Sequence, residues 1–354
     1  MRDSYCTLSI TVQKPAACVV VGRERERLLH PFEVLDGTAH QARPKADPCK
    51  TVKIFTRSAA GQHLANPGNL RPPPVLLKTS EYLMNIVSSN KAEFIEVYKF
   101  AWDRLWSLRQ DMTIQQASGK ECVTVLEQAV RFYVYSSFRA CSEKSSHFDS
   151  YINAQHLQEC LKRLLVMYQE SADACPNRPE MEAMYLLHNL GSVEALSHCI
   201  TMPRNVRSSV LVQRSADISA AYLDGNFVRL LRYYRKLPFL LACCLHQHLN
   251  KIRMHALQIL NVAYSSQNCK FPQHDLSHWL QCTVEETKDL CIFHELTVLS
   301  DTVKFLKSTG KFQQGQEMRK TQDPVLKSRM KALDTTLLLT TGTESESRNQ
   351  NKHS

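Results

Sequence analysis

Two carboxylates, Asp103 and Asp111, lie in one stretch of the chain with a spacing that could support acid–base chemistry. General acid–base catalysis often uses such pairs of carboxyl groups. Here each aspartate has an arginine within two residues, Arg104 beside Asp103 and Arg109 near Asp111. A neighbouring arginine favours the ionised carboxylate, which is typical of structural ion pairs. We therefore interpret both aspartates as ion-pairing residues and predict no catalytic residue.

Two groups of cysteine and histidine residues have spacings that a zinc ion could accept, since zinc binds thiolates and imidazoles in tetrahedral sites. They are Cys243, Cys244, His246 and His248 in the first group, and His274, His278 and Cys282 in the second. Neighbouring residues in the first group project around a helix, and the second spacing is that of one face of any short helix. We favour satisfied, half-buried histidines, and predict no metal and no cofactor.

Basic residues recur along one face of a predicted helix and continue at the start of a later one. They are Arg229, Arg232, Arg235 and Lys236, followed by Lys251 and Arg253. The intervening apolar residues, which include Leu230 and Leu231, are placed to face the core. This row is a candidate surface for RNA phosphates or an acidic partner. A solvated outer face explains it equally well, and both interpretations stay open here.

The sequence carries none of the short motifs that mark common enzyme classes. It has no glycine-rich phosphate loop ending in Lys-Ser/Thr and no Gly-x-Gly-x-x-Gly. It also has no Gly-x-Ser-x-Gly and no His-Glu-x-x-His. We therefore predict a non-enzymatic protein with no small-molecule substrate.

Composition and charge also restrict the class of protein. The chain has 354 residues and a formal net charge of +10, and its excess of cations lies towards the two ends. This pattern fits an acidic partner or nucleic acid. The longest apolar run, Phe239–Leu245, is far too short to span a bilayer, and residues 1–22 do not form a signal-peptide pattern. These two observations predict no membrane association. The 13 cysteines include no Cys-x-x-Cys pair, which indicates reduced thiols in the cytosol or nucleus.

Helical periodicity dominates the middle of the chain. In residues 98–116 apolar side chains recur every three or four positions, so this helix buries one face, and Trp102 and Trp106 add a second apolar flank. Further helices are predicted at 121–139, 152–168, 180–189, 192–200, 205–223 and 226–236. With only 10 glycines in the chain, the pattern predicts an all-α, irregular helical-repeat stack over residues 75–240.

The pattern changes on both sides of this stack. After residue 240 come a helix at 251–264, a short strand at 270–272, helices at 273–281 and 283–294, and a hairpin at 296–306. This is the order of a winged helix, which we predict for residues 241–310. Residues 1–46 are predicted to be mostly disordered, and prolines hold 47–74 extended across the helices. Residues 311–354 are predicted to be a basic, mostly disordered tail.

The helix at 98–116 also carries a characteristic series of residues, namely Phe100, Asp103, Arg104, Arg109, Asp111 and Gln115. The series resembles the F-x-x-DR-x-R-x-x-x-x-D-x-x-x-Q signature of the GANP family, which shares the Sac-three domain, although Trp106 replaces an arginine. Blocks from RERERLLHPFEV to DGNFVRLLRYYRKLPFL occur in the family's order, so the resemblance covers roughly residues 23–307. It implies the architecture of the related PCI proteins, helical repeats ended by a winged helix. We expect the signature residues to be structural.

The resemblance implies two alternative functions. Short vertebrate members are associated with centrosomes and the mitotic spindle, and act in centrosome duplication and cell division. The first hypothesis is therefore a protein-interaction scaffold in the cytoplasm and cytoskeleton, with PCI-type or centrosomal proteins as partners. Longer relatives form the core of a transcription-coupled mRNA export complex, so the alternative is a nuclear scaffold that contacts RNA weakly through the basic face.

Two features put the export alternative second. In the longer relatives centrin binds a long helix beyond the domain, and we expect no room for such a helix before residue 354. The predicted helix at 283–294 is acidic, with Glu285, Glu286 and Asp289 against Lys288. A helix that reads a nucleic-acid groove needs donors for phosphates and guanines, so we expect the winged helix to dock a protein.

Overall fold

The computed structural model describes residue 24 and residues 29–57, 70–89, 92–171, 175–308, 310–312, 318 and 320–345. Within these ranges the chain forms fifteen α-helices, one 3-10 helix and three short strands. The chain divides into two compact units. The first contains residues 1–132, 169–173 and 339–341, and the second contains residues 133–168, 174–338 and 342–354.

The first unit is built on long helices that follow an irregular segment, which we call the leader and which comprises the described residues 29–57 and 70–72. Its elements are the 3-10 helix Pro31–Glu33, α1 (Pro73–Ser88), α2 (Phe94–Ile114) and the beginning of α3 (Lys120–Arg139). Prolines occupy the first turn of α1, where a missing N–H removes no helical hydrogen bond. Helix α1 packs against α2.

Helix α2 buries the face that the sequence predicts. The side chains of Tyr98, Ala101, Leu105, Leu108 and Met112 are all buried. The helix stops where Gln116 adopts a left-handed φ of 48°, a conformation that ends helices.

The second unit contains most of the helical stack. After most of α4 (Ser150–Glu170) come α5 (Arg178–His188), α6 (Val193–Thr201), α7 (Arg204–Arg207), α8 (Val210–Leu223), α9 (Phe227–Tyr234), α10 (Phe239–His246) and α11 (Leu249–Ala263). Helix α5 packs against α8 and α10, and α8 also packs against α6 and α9. Asp224-Gly225-Asn226 joins α8 to α9, with Gly225 at a φ of 67° and the Asn226 side chain capping α9.

Two helices of this stack differ from the sequence prediction. The predicted helix at 205–223 is broken into α7 and α8, because the hydroxyl of Ser209 caps the start of α8. In the sequence, helix α10 is recognisable only as an apolar run, from which no helix is predicted. All eight of its residues are buried, so it has no polar face that would produce a helical period.

The second unit continues from α11 into a winged helix. Strand β1 (Phe271–Pro272) is followed by α12 (Gln273–Leu280), α13 (Val284–Phe293), β2 (Thr297–Val298) and β3 (Thr302–Lys304). The strands form an antiparallel sheet in the order β1-β3-β2, with Val303 paired to both Phe271 and Val298. Side chains from α11, α12, α13 and the strands, including Leu260, Leu276 and Val303, form one buried core. The predicted all-α fold class, a helical stack followed by a winged helix, is confirmed.

Residues 29–46, which lie in the segment predicted to be mostly disordered, have a defined structure here. They form the 3-10 helix, several turns and an isolated bridge between Val34 and Ala46. Glu33 is fully buried. The segment has no sequence period because tertiary ion pairs and hydrogen bonds hold it in place. Residues 1–23 and 25–28 lie outside the described residues.

Part of the tail, which is predicted to be mostly disordered, is also structured. Helices α14 (Pro324–Ala332) and α15 (Thr335–Thr341) lie within residues 311–354. Leu326, Leu338 and Leu339 are buried, and the side chain of Asp323 caps α14. The polar composition hid these few apolar positions. Residues 346–354 lie outside the described residues.

Three histidines of the second unit are held neutral by burial. Burial lowers the pKa of His188, His246 and His248 to about 4 each. The ring of His248 hydrogen-bonds the carbonyl of His188, and His246 lies edge-on against Phe138. Protonation of such a group strongly disfavours the folded state.

We predict that the free energy of unfolding falls as the pH drops from about 6.5 to about 4. Each histidine has a lower pKa in the folded than in the unfolded chain, so its contribution is present above the unfolded pKa and is lost below it. The loss is on the order of 3 kcal/mol for each histidine. Urea unfolding at several pH values measures it. His246→Phe should reduce the pH dependence, whereas replacement of the exposed His274 by Gln should not; equal slopes for all three proteins would contradict this assignment.

Candidate functional site

The signature residues of α2 hold the leader segment of the first unit. The carboxylate of Glu33 receives the backbone N–H of Val52 at 3.0 Å and the guanidinium of Arg104 at 3.1 Å. Glu33 and Arg104 are both buried, and they are 71 residues apart in the sequence. This ion pair therefore fixes the 3-10 helix and residue 52 against α2.

Asp111 is the second anchor of the leader, and its side chain is fully buried. One carboxylate oxygen receives the Lys53 ammonium at 2.6 Å, and the other receives the Nε of Arg71 at 2.7 Å. The same guanidinium donates to the hydroxyl of Ser107 at 2.8 Å. Burial lowers the pKa of Arg71, and the charge of Asp111 opposes this effect. Two leader segments thus supply the positive charge that a buried carboxylate requires.

Asp103, Arg104 and Phe100 form the outer part of the same cluster. Asp103 receives Arg104 at 2.6 Å and the backbone N–H of Phe55 at 3.3 Å, and 30% of its side chain is exposed. The Arg104 guanidinium lies 4.6 Å from the centre of the Phe100 ring. Asp111 and Arg104 thus pair with residues of the leader, and Arg104 also pairs with its neighbour Asp103 on the helix.

The other signature residues contact either the leader or other residues of α2. Gln115 donates from one amide nitrogen to the carbonyls of Arg71 and Asp111. Arg109 is half-buried, and its carbonyl accepts the hydroxyl of Thr113. Trp106, which replaces an arginine of the family signature, stacks on Phe55 with 3.7 Å between ring centres. The sequence pattern did not reveal Glu33, Lys53 or Arg71, because their partners are distant in the sequence.

Two of the six residues predicted to form the basic face are hydrogen-bonded within the fold. Arg235 donates to the carboxylate of Asp323 at 2.8 Å and to the carbonyl of Gln281. Arg253 donates to the carbonyls of Leu280 and Gln281 at 3.2 and 3.0 Å. Both guanidiniums connect elements of the second unit, so they cannot also form a phosphate-binding row. Sequence spacing alone could not separate these structural arginines from the surface ones.

The other four cations of the face are exposed. They are Arg229, Arg232, Lys236 and Lys251. Arg229 approaches Asp217 at 3.8 Å and lies over the ring of Tyr233. An exposed pair of this kind leaves the cation accessible to an anionic partner.

The described members of the two cysteine and histidine groups lie partly in the interior and partly on the surface, and they do not come together at one site. Among the described residues, no three His, Cys, Asp or Glu side chains are arranged to hold a metal ion. The thiol of Cys244 donates to the carbonyl of Met184 at 3.5 Å, and burial raises its pKa to about 12. His274 is largely exposed beside Asp275. In addition, none of the helices in the described ranges is long and apolar enough to cross a membrane.

Comparison with known protein sequences identifies the family of this chain. The sequence profile of the SAC3/GANP family matches residues 20–300, which include the whole ion-pair cluster on α2. The chain belongs to the SAC3/GANP family. Similar proteins include SAC3 family protein B of Arabidopsis thaliana, which is 27% identical over 293 residues, or 78% of this chain. Protein xmas of Drosophila melanogaster is 28% identical over 285 residues, or 75% of this chain.

The similarity covers only a small part of these relatives. The matched region is 17% of the Arabidopsis protein and 14% of the Drosophila protein. SAC3 family protein 1 of Schizosaccharomyces pombe is 26% identical over 303 residues, which are 79% of this chain and 29% of that protein. The chain of this SAC3/GANP member thus corresponds to one region of much longer proteins.

We predict that Asp111→Asn destabilises the protein by about 3–5 kcal/mol, because it leaves two cations without their buried counter-charge. Asp103→Asn should cost only about 1 kcal/mol, because Asp103 is partly exposed and Arg104 keeps Glu33 as a partner. Urea unfolding measures both. The surface variant Asp217→Asn is the matched control and should change stability by less than about 0.5 kcal/mol. Equal losses for Asp111→Asn and Asp217→Asn would show that the buried cluster does not hold the leader.

Proposed function

We propose that this protein is a non-catalytic scaffold of the SAC3/GANP type that acts in cell division through protein partners. Family membership supports the scaffold class. The cell-division role, in centrosome duplication, spindle assembly and mitotic progression, rests on the resemblance to the short family members. The corresponding place of action is the cytoplasm and cytoskeleton, at the centrosome and spindle, and the partners are PCI-type or centrosomal proteins.

The exposed side of α13 in the winged helix is the observation that best supports protein docking. Glu285 and Asp289 are exposed there, and a negatively charged helix is repelled by phosphates. On the same helix Ile292 is 54% exposed and Phe293 is 40% exposed. Adjacent exposed apolar side chains support a surface that packs against another protein, and the acids beside them disfavour phosphates.

We predict that Ile292→Asp weakens partner binding and leaves folding intact. An exposed charge at this position disfavours burial against a partner but costs the monomer little. The measurement is co-purification of centrosomal and export proteins from dividing and non-dividing cells, with rescue of spindle-pole number after depletion. Val166→Asp, at an exposed apolar position of α4, is the matched control and should behave like the wild type. If Ile292→Asp retains every partner and rescues fully, α13 is not the docking surface.

A second candidate function is a scaffold for mRNA export that contacts RNA. The observation in its favour is the group of exposed cations Arg229, Arg232, Lys236 and Lys251. We place it second because Arg235 and Arg253 are engaged within the fold, and because α13 cannot contribute phosphate contacts.

We predict that reversing these four exposed cations to Glu changes neither RNA binding nor localisation at the spindle. If they bind phosphates instead, affinity for single-stranded RNA should fall with salt, with a slope of roughly −0.7 for each contact. The reversal would then abolish that slope. Reversal of Lys144, Lys162, Lys327 and Lys331 gives a control with the same net charge. Tight RNA binding at physiological salt that is lost only in the first variant would place mRNA export first.

A further inference from the structure

Residues 320–333 of the polar tail belong to the second unit, and we call this segment the strap. It contains α14, which packs against α10. Of the apolar side chains in this fully described segment only Leu326 is buried, and Val325 is 51% exposed. The strap is therefore held mainly by polar contacts, and these contacts show which chemistry the surface beneath it binds.

The polar groups that the strap contacts lie in one short stretch, residues 235–239, between α9 and the beginning of α10. The guanidinium of Arg235 donates to the carboxylate of Asp323 at 2.8 Å. Two residues later, the carbonyl of Leu237 accepts a hydrogen bond from Arg329 at 3.1 Å. The stretch thus offers a cation and a carbonyl acceptor, and the strap supplies the matching group to each.

The residues that make these contacts occupy successive turns of α14. Asp323, Leu326 and Arg329 are spaced by three residues, so neighbouring members of the set lie close together on the helix. Asp323 also caps the helix by accepting the backbone N–H of Val325 at 3.0 Å. The surface therefore accommodates a helix that begins with a carboxylate, buries a leucine one turn later and presents a cation at the following turn.

Glu344, which follows the strap in the second unit, completes this arrangement. Helix α10 begins after Pro238 and has no capping side chain of its own. The backbone N–H of Phe239 donates to the carboxylate of Glu344, which also pairs with Arg329 at 3.2 Å. The side chains of Arg329 and Glu344 are each 31% exposed. Water reaches this ion pair, so it holds the strap only weakly.

The strap has the features of a segment that opens locally. Segments with few buried apolar side chains open at a lower free energy than the core of a protein. Helix α10 is the opposite case, because all eight of its residues are buried. Opening of the strap leaves Arg235 without its carboxylate partner and uncovers the side of α10 against which α14 packs. The chemistry of the uncovered surface is known from its present occupant.

We propose that the surface beneath the strap is a docking site for a helix of a protein partner, which competes with the strap. The partner helix begins with Asp or Glu, carries Leu three residues later and Lys or Arg three residues after that. Its carboxylate pairs with Arg235, its leucine takes the place of Leu326, and its cation donates to the carbonyl of Leu237.

The strap is then an autoinhibitory segment of the chain. An occupant that is covalently linked to its site has a high effective concentration there, so a free helix binds well only when the strap is weakened. This surface is separate from the exposed side of α13. The proposal therefore goes beyond the docking site given above and does not rest on it.

Hydrogen exchange of the full wild-type chain tests whether the strap opens by itself. The backbone amides of α14 should exchange at least about ten-fold faster than the hydrogen-bonded amides of α11, which belong to the core of the second unit. Mass spectrometry of the peptic fragments measures both rates. Equal rates for α14 and α11 would show that the strap opens only when the whole unit unfolds, and would overturn the proposal.

A labelled peptide of residues 320–333 tests the site itself by fluorescence anisotropy. In the full chain with Asp323→Asn and Leu326→Asp the strap is weakened, while the residues beneath it are unchanged. The peptide should bind this variant at least about ten-fold more tightly than it binds the wild type, because the linked competitor is lost. Val325→Asp, at an exposed position of the strap, is the matched control and should behave like the wild type.

A second peptide identifies the chemistry that the site recognises. The peptide with Asp323→Asn should bind the weakened chain about ten-fold less tightly, because it lacks the charge-assisted hydrogen bond to Arg235. Arg235→Gln in the weakened chain should remove the difference between the two peptides. Thermal melting checks that each chain is folded. Asp323→Asn alone is the milder variant of the chain, and it should bind the first peptide more tightly than the wild type does.

Several results would overturn the proposal. They are absence of peptide binding by both weakened chains, equal affinity of the two peptides, or a difference between them that persists in Arg235→Gln. Dimers of the weakened chain that exchange straps, without binding of the free peptide, would assign the surface to a second copy of the chain instead of a partner. Failure of α13 to dock a partner would not affect any of these measurements.

Discussion

The fully buried carboxylate of Asp111 is the constraint on which the first unit depends. A charge removed from water is tolerated only when opposite charge and hydrogen bonds surround it. Among the described residues, the ion pairs of Asp111 are formed with Lys53 and Arg71, which the chain brings to it from outside α2. Glu33 creates the same requirement for Arg104. The leader is held in place because its charged residues pair with buried charged residues of α2, although the leader has little apolar periodicity of its own.

This dependence explains which parts of the fold could be predicted from the sequence. The buried face of α2 and the winged-helix order follow from local spacing, and local spacing is visible in one sequence. The roles of Glu33 and Arg71 arise from pairs separated by tens of residues, which no period reveals. Helix α10 could not be predicted for a different reason. It is buried on every side, so its sequence has no alternation of polar and apolar residues. Helices α14 and α15 were hidden by a polar composition, in which Leu326, Leu338 and Leu339 are the buried apolar residues of the described part.

The basic row illustrates the same limit for function. From their helical spacing alone, the six cations are expected to form one surface. In the structure they differ in what each guanidinium or ammonium group contacts. Arg235 and Arg253 satisfy buried carbonyls and a carboxylate, whereas Arg229, Arg232, Lys236 and Lys251 face outward. Spacing therefore indicates where a cation lies on a helix, but its hydrogen bonds decide whether it is available to a partner.

The shared acceptor of Arg235 and Arg253 has a mechanical consequence. Gln281 ends α12 with a left-handed φ of 51°, a conformation that costs a residue other than glycine on the order of 1 kcal/mol or more. Its carbonyl is held by guanidiniums from α9 and α11 at once. A single carbonyl therefore links the end of α12 to two other helices of the second unit, so a change at Gln281 would disturb both contacts together.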